Sequence, residues 1–310
     1  LDAGEQIRIP AGELGLGQHD RVAFQLSNRV EFLQAFFACS RIGAIPVMLL
    51  PRHREAEARH ITDLTDARAF VTLGGGANLR HDFVSMVDGF REEADSLDHC
   101  LVVGDDGSAG EDWVRFEETY ETDWTDEHGD ALDAAEVNPC DPGVFLLSGG
   151  TTGMPKAIPR THNDYVFQWR KMAETVGVDD DWVGFPSVPA AHNASLVCVL
   201  GPAIHAGASV AMEPVLKPEN LLALIEDHGG SFSLPVPTQI IDLPEHPKRD
   251  DYALSSLEVL ISGGQKVPPR AVRESVDLWD IGCCNIFGMA EGPLICSRPE
   301  ADVEIQATTG

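Results

Sequence analysis

The sequence predicts an α/β protein with largely parallel sheets, divided into two α/β subdomains. Short β-branched runs alternate with amphipathic helical patterns, which is typical of repeated βα units with helices on the sheet faces. The length of 310 residues allows two units of roughly 150 residues each, because single cores seldom grow much larger. A hydrophobic content of 43% supplies enough apolar side chains for a sizeable core.

The predicted elements follow this alternation along the whole chain. Strands are predicted at 21–27, 45–50, 69–73, 100–103, 143–147, 209–212, 231–236, 257–261 and 283–287, and helices at 31–42, 55–66, 218–228 and 269–280. The segment 104–142 is acidic and shows little periodicity, which predicts a long surface connection. The expected boundary therefore separates a first subdomain, 1–142, from a second subdomain, 143–310.

The charge balance is strongly acidic, with 50 Asp and Glu against 22 Lys and Arg and a formal net charge of −28. This balance favours a folded protein with a carboxylate-rich surface, as in organisms with high internal salt, over an ordinary acidic protein. Nucleic acid and anionic membrane surfaces are excluded as partners on either interpretation. No apolar run reaches the roughly 18 to 20 residues that a membrane-spanning helix needs.

The seven cysteines include no C-x-x-C pair and are odd in number. This usage indicates reduced thiols and a cytoplasmic protein rather than a disulfide framework.

A glycine-rich segment, SGGTTGMPK, follows the strand predicted at 143–147. Glycines allow backbone N–H groups to approach an oxyanion closely, and threonine hydroxyls and a lysine ammonium add donors and positive charge. A Walker A loop places its lysine directly after the last glycine, whereas Met154 and Pro155 separate Gly153 from Lys156 here. The local residues therefore predict a phosphate-binding loop of another kind, with a glycine-rich turn that binds nothing as the alternative.

The SGGTTGMPK segment resembles the phosphate loop of the adenylate-forming superfamily, which includes acyl-CoA synthetases, luciferases and nonribosomal adenylation domains. The extension KAIPRTHNDY is similar to the aryl acid–AMP ligases that activate 2,3-dihydroxybenzoate or salicylate for siderophore synthesis. Three further motifs of that family follow in the expected order: PAAHNASL at 189–196, ISGGQKV at 261–267 and NIFGMAEG at 285–292. The resemblance covers nearly the whole chain.

The resemblance implies the large N-terminal domain of such an enzyme, built from two stacked α/β subdomains, without the C-terminal lid domain that carries a catalytic lysine. We therefore expect these 310 residues alone to be nearly inactive. It also implies ATP and Mg²⁺ as cofactors and a two-step reaction, in which a carboxylate displaces pyrophosphate from ATP and a thiol then attacks the acyl adenylate.

The resemblance assigns nucleotide-binding roles residue by residue. The phosphates would be bound by Ser148, Gly149, Gly150, Thr151, Thr152, Gly153 and Lys156. The remaining ATP-binding positions would be Gly263, Gly264, Gln265, Ile286, Phe287, Gly288, Met289 and Ala290, with Glu291 as the Mg²⁺ ligand.

The acid-binding residues implied by the resemblance are His192, Asn193 and Cys198. His192 would be the catalytic residue that orients the carboxylate, and Asn193 would pair with an ortho-hydroxyl and the carboxylate. A cysteine at position 198 favours salicylate over 2,3-dihydroxybenzoate, because a thiol is a weak partner for a 3-hydroxyl. A small buried apolar role for Cys198 is the alternative.

The acceptor implied is the phosphopantetheine thiol of a carrier protein, with CoA as a second possibility. A third interpretation is a nucleotide-binding fragment without catalytic activity.

The acidic surface generates a stability prediction. Raising KCl from low to molar concentration should increase the melting temperature markedly, because screening weakens repulsion within a net charge of −28. Thermal unfolding followed by circular dichroism measures this, and a flat response would contradict the high-salt interpretation.

Overall fold

The structure is a computed structural model that describes residues 14–75, 81–120, 136–148 and 153–308. The chain divides into two compact units, Leu1–Asn163 and Asp164–Gly310. Each unit contains its own mostly parallel sheet with helices, which confirms the predicted α/β fold class. Among the described residues, no helix is both long and apolar enough to cross a membrane.

The first unit contains a seven-stranded sheet in the order β5-β4-β3-β1-β2-β6-β7. Its strands are β1 (Arg21–Phe24), β2 (Ile45–Met48), β3 (Ala67–Leu73), β4 (His99–Val103), β5 (Val114–Arg115), β6 (Pro142–Leu147) and β7 (Ala157–Thr161). Its helices are α1 (Val30–Ile42), α2 (Glu55–Thr65) and α3 (Phe83–Asp88), with 3₁₀ turns at Arg91–Glu93 and Phe116–Tyr120. All pairs are parallel except β6 and β7, which form an antiparallel hairpin.

Buried aromatic side chains form much of the first unit's core. Phe24 on β1 meets Phe32 on α1 edge to face, with ring centroids 6.2 Å apart. Phe70 on β3 meets Phe90 in the same way at 6.0 Å. These rings exclude water from the strand–helix interfaces, and edge-to-face pairs add about 0.5–1.5 kcal/mol beyond burial. Gly43 ends α1 in the left-handed conformation at φ 74°, which glycine adopts without steric cost.

The hairpin changes the expected subdomain boundary. β6 pairs with β2 through Val47 and Phe145 and thereby joins the sheet of the first unit. The structure therefore divides after Asn163, whereas the sequence placed the boundary after Pro142. The predicted connection 104–142 also contains structure, because β5 pairs with β4 and the 3₁₀ turn follows it. Residues 121–135 of that connection lie outside the described residues.

The second unit contains a six-stranded sheet in the order β13-β12-β11-β10-β8-β9. Its strands are β8 (Val183–Phe185), β9 (Ser209–Val210), β10 (Phe232–Ser233), β11 (Val259–Gly263), β12 (Gly282–Gly288) and β13 (Leu294–Cys296). Helix α4 (His162–Val176) spans the boundary, and those after it are α5 (Asn193–Ser195), α6 (Gly201–Ala206), α7 (Pro218–His228), α8 (Gln239–Glu245), α9 (Pro269–Trp279) and α10 (Val303–Gln306). A π-helical segment, Leu196–Leu200, joins α5 to α6, and a 3₁₀ turn lies at Arg249–Asp251.

The core of the second unit forms where α7, α8 and α9 cover the sheet. Leu221, Ile225, Ile240, Leu260 and Val272 are buried within one apolar cluster. All the strand pairs are parallel except β12 with β13. The carboxyl ends of β11 and β12 consequently meet at one edge of the sheet, where open α/β sheets bind ligands.

The close approach of β11 and β12 generates a stability prediction at Gly263. A Cβ at this position would lie 2.2 Å from the backbone oxygen of Ile286, so the strands would have to separate. We expect Gly263→Ala to lower the free energy of unfolding by about 1–3 kcal/mol. Chemical denaturation measures the change. Gly17→Ala is the matched control, because an added Cβ there has no atom within 4 Å, and equal losses in both variants would contradict the explanation.

Candidate functional site

The glycine-rich segment connects the two strands of the β6–β7 hairpin. The backbone N–H of Ser148 donates to the Lys156 oxygen at 3.0 Å, and the Lys156 N–H donates to Ser148 Oγ, also at 3.0 Å. These two bonds close the base of the loop, whereas Gly153 and the Lys156 side chain are exposed. The predicted phosphate ligands Gly149, Gly150, Thr151 and Thr152 lie outside the described residues.

A histidine that the sequence analysis missed fixes the same loop. His60, on α2, lies 3.1 Å through Nε2 from the backbone oxygen of Pro155. Because a carbonyl oxygen only accepts, Nε2 carries the proton in this contact. Ninety-five positions separate the two residues, so no local sequence pattern could reveal the pair.

In the second unit, His192 precedes the first turn of α5. Its Nδ1 accepts a hydrogen bond from the Ala194 N–H at 3.1 Å and thereby acts as a helix cap. A neutral imidazole with Nδ1 as acceptor carries its proton on Nε2. The backbone N–H of His192 donates to the Pro189 oxygen at 2.8 Å, which holds the backbone at this point, and the residue remains exposed.

Asn193 follows directly and is half-buried. Its Oδ1 accepts a hydrogen bond of 2.8 Å from the hydroxyl of Tyr165, which lies on α4. Tyr165 is 3% exposed and meets the Trp169 ring edge to face at 5.8 Å. This tyrosine lies within the KAIPRTHNDY segment, where the sequence pattern assigns it no role. Its contact with Asn193 spans 28 positions and follows from the tertiary structure alone.

Cys198 lies in the π-helical segment, where the wider turn is frequent at functional positions. Its side chain is 1% exposed. Burial raises the pKa of the Cys198 thiol well above its usual range, and the nearby Cys296 thiol on β13 acts in the same direction. Cys198 is therefore a neutral, weakly polar thiol at neutral pH, and both interpretations of its role remain compatible with this position.

The predicted nucleotide residues of the second unit lie at the adjoining ends of β11 and β12. Gly263 ends β11 and is in register with Ile286 of β12. Gly264 follows in the left-handed region at φ 78°, and Gln265 is exposed beside it. The structure therefore brings the ISGGQKV and NIFGMAEG motifs together.

The turn between β12 and β13 contains Glu291. Phe287, Gly288 and Met289 are exposed ahead of it, with Ala290 half-buried. The Gly292 N–H donates to the Met289 oxygen at 3.3 Å, and Gln168 Nε2 on α4 donates to the Gly292 oxygen at 2.6 Å. Sequence reasoning missed Gln168 as well.

The exposed Glu291 carboxylate is a hard oxygen donor of the type that Mg²⁺ prefers. Among the described residues, Glu291 belongs to no group of three potential metal ligands. This fits Mg²⁺, which commonly binds to one or two carboxylates together with nucleotide phosphates and water.

Comparisons with known proteins identify the class to which these features belong. The family model for the AMP-binding enzyme matches residues 11–310. The 2,3-dihydroxybenzoate-AMP ligase of Bacillus subtilis is 32% identical over 308 residues, which are 97% of this chain and 54% of that protein. The salicyl-AMP ligase / salicyl-S-ArCP synthetase of Mycobacterium tuberculosis is 35% identical over 287 residues, which are 92% of this chain and 49% of that protein.

A solved structure agrees with these relatives. The apo structure of Mycobacterium smegmatis MbtA matches with a TM-score of 0.83 and 30% identity over 98% of this chain and 54% of that one. The chain belongs to the AMP-binding enzyme family, and the resemblance inferred from the motifs is confirmed. It spans about half the length of the curated relatives that it matches.

Thiol burial generates a labelling prediction. Cys140 is exposed, whereas burial raises the pKa of Cys100 to about 11 and that of Cys283 to about 12. At pH 8 the buried thiols stay protonated, so an aromatic disulfide reagent should modify Cys140 at least about 100-fold faster than Cys198. Stopped-flow absorbance measures the rates, and Cys140→Ser should remove one rapidly reacting equivalent. Rapid loss of the Cys198 thiol in the native protein would contradict the prediction.

Proposed function

We propose that this protein activates an aromatic carboxylic acid with ATP and releases pyrophosphate, forming an acyl adenylate for transfer to a carrier-protein phosphopantetheine thiol in siderophore-type biosynthesis. The observation that carries the proposal is the pair His192 and Asn193, with the asparagine amide held by Tyr165. An amide that is held in place in this way can recognise a polar substituent of a substrate by hydrogen bonding. The names of the aryl acid ligases among the relatives support the same acid class.

The first step forms a bond between a carboxylate oxygen of the acid and the α-phosphorus of ATP. The bond from the α-phosphorus to the bridging oxygen breaks, and pyrophosphate leaves with that oxygen. Such a reaction depends on positioning and on neutralising charge rather than on covalent help from the protein. In the first unit, Lys156 and the loop that Ser148 closes supply positive charge and backbone donors for the phosphates.

In the second unit, His192 orients the carboxylate of the acid through the proton on Nε2, and Asn193 binds the aromatic substituent. The ends of β11 and β12 supply the residues for the adenine, with Gly263 and Ile286 in register. Glu291 would hold Mg²⁺, which supplies charge neutralisation at the phosphates when it is bound.

The second step transfers the acyl group. The thiol sulfur attacks the carbonyl carbon of the adenylate, the bond from that carbon to the phosphate oxygen breaks, and AMP leaves. The thiol gives up its proton as the new thioester forms. A carrier protein is the proposed acceptor because the relative from Mycobacterium tuberculosis is named for transfer to such a protein.

Salicylate is the proposed acid rather than 2,3-dihydroxybenzoate. A fully buried neutral thiol at Cys198 is a poor partner for an additional hydroxyl, so a second ring hydroxyl placed beside it would be desolvated without compensation. All seven cysteines are free thiols, which supports the proposed cytoplasmic location.

The activity is tested by ATP–pyrophosphate exchange on the natural full-length protein. Salicylate should support exchange, 2,3-dihydroxybenzoate should support it less well, and fatty and amino acids should not. Exchange confined to fatty or amino acids would overturn the proposal.

With salicylate, a carrier protein bearing phosphopantetheine should be acylated faster than CoA, and the reverse order would make the enzyme a CoA ligase.

Lys156 provides the matched variant for the same assay. Lys156→Ala should lower the exchange rate on the order of 10- to 100-fold, because an ammonium aimed at phosphate oxygens stabilises the charge that moves during the reaction. Lys248→Ala, at the exposed residue directly before the 3₁₀ turn Arg249–Asp251, is the control and should leave the rate unchanged. Equal effects of the two substitutions would argue against a phosphate-binding role for Lys156.

A further inference from the structure

The hydrogen bond that the Tyr165 hydroxyl donates to Asn193 orients the asparagine amide. A carboxamide has an acceptor oxygen on one side and a donor NH₂ on the other. The Tyr165 hydroxyl donates to Oδ1 at 2.8 Å and occupies the acceptor side. Within the part of the chain that the structure describes, the NH₂ of Asn193 has no hydrogen-bond acceptor, so this donor is available to a ligand.

The tyrosine itself is held in place. It is 3% exposed, its ring lies edge to face with Trp169, and it is carried by the regular helix α4. One helical turn further along, Gln168 bonds to the Gly292 oxygen in the turn that contains Glu291. Because positions i and i+3 lie on the same helix face, one face of α4 supports both Asn193 and that turn.

We propose that Tyr165 is a positioning residue that makes Asn193 selective for aromatic acids whose ortho substituent accepts a hydrogen bond. This inference rests on the proposed function. A phenol oxygen can accept from the Asn193 NH₂ while its own proton points to the neighbouring carboxylate. An ortho-amino group presents N–H donors and a delocalised, weakly accepting nitrogen, so two donors would face each other. Turning the amide to accept from the amine would replace Oδ1 by NH₂ at the Tyr165 hydroxyl, which would then have to accept a hydrogen bond instead of donating one.

Tyr165→Phe is the decisive variant, because it removes the hydroxyl and retains the ring that packs against Trp169. Without that donor, the amide can adopt either orientation. The ratio of kcat/KM for salicylate to kcat/KM for anthranilate, measured by pyrophosphate exchange on the full-length protein, should fall about tenfold. The KM for ATP should stay unchanged. The kcat/KM for benzoate, which has no ortho substituent, should not change to a comparable extent.

The matched control is Tyr252→Phe, which removes a tyrosine hydroxyl from a half-buried residue beside the second unit's apolar cluster. It should leave the salicylate-to-anthranilate ratio within about twofold of the wild-type value. A purely structural role for Tyr165 would lower activity with both acids equally and would leave the ratio unchanged.

The outcomes separate this inference from the proposed function. A Tyr165→Phe protein that retains the wild-type ratio, in an enzyme that activates salicylate, would overturn the positioning role alone. Wild-type protein that prefers anthranilate to salicylate would also overturn it, and this result needs no variant to fold. Wild-type protein that activates no aromatic acid would overturn the proposed function and this inference together.

Discussion

The parallel pairing of β11 with β12 is the constraint on which the candidate site of the second unit depends. In register, Gly263 lies opposite Ile286, and the absence of a side chain at Gly263 allows the Ile286 backbone oxygen to approach closely. The two strands therefore end side by side, with the exposed Gly264 directly after β11 and the turn that contains Glu291 directly after β12. Parallel strands generally place the loops at their carboxyl ends together, and here those loops carry two of the four motifs that define the family.

Hydrogen bonds from outside each motif hold the motifs in place. His60 contacts the glycine-rich loop in the first unit, and in the second unit Tyr165 and Gln168 on α4 hold the Asn193 amide and the Glu291 turn. Buried or half-buried supports of this kind reduce the freedom of groups that must meet a substrate, which lowers the entropic cost of reaching a reactive geometry. The residues with predicted roles in binding or catalysis therefore depend on neighbours that have no such predicted role themselves.

Much of the fold could be predicted because it is encoded locally. The helix over 218–228 coincides with α7, and the ordered motifs indicated the family that the comparisons confirm. Strand β6 (Pro142–Leu147) could not be assigned to its unit, because its partner β2 is distant in sequence and β6 alone has no pattern that selects that partner. Tyr165 was missed for the same reason, since its role is defined by a contact across 28 positions. The assigned roles of His192, Asn193, Cys198 and Glu291 stay predictions.

The proposed function depends on the attack of a carboxylate oxygen on the α-phosphorus of ATP, and the position of an isotope label tests this step most directly. Salicylate labelled with ¹⁸O in both carboxylate oxygens is incubated with ATP, Mg²⁺, the full-length protein and its thiol acceptor. Because the thiol attacks the carbonyl carbon, the bridging oxygen stays on phosphorus, and mass spectrometry should find one ¹⁸O in AMP and none in pyrophosphate. Unlabelled AMP, or ADP and labelled inorganic phosphate as products, would contradict the account.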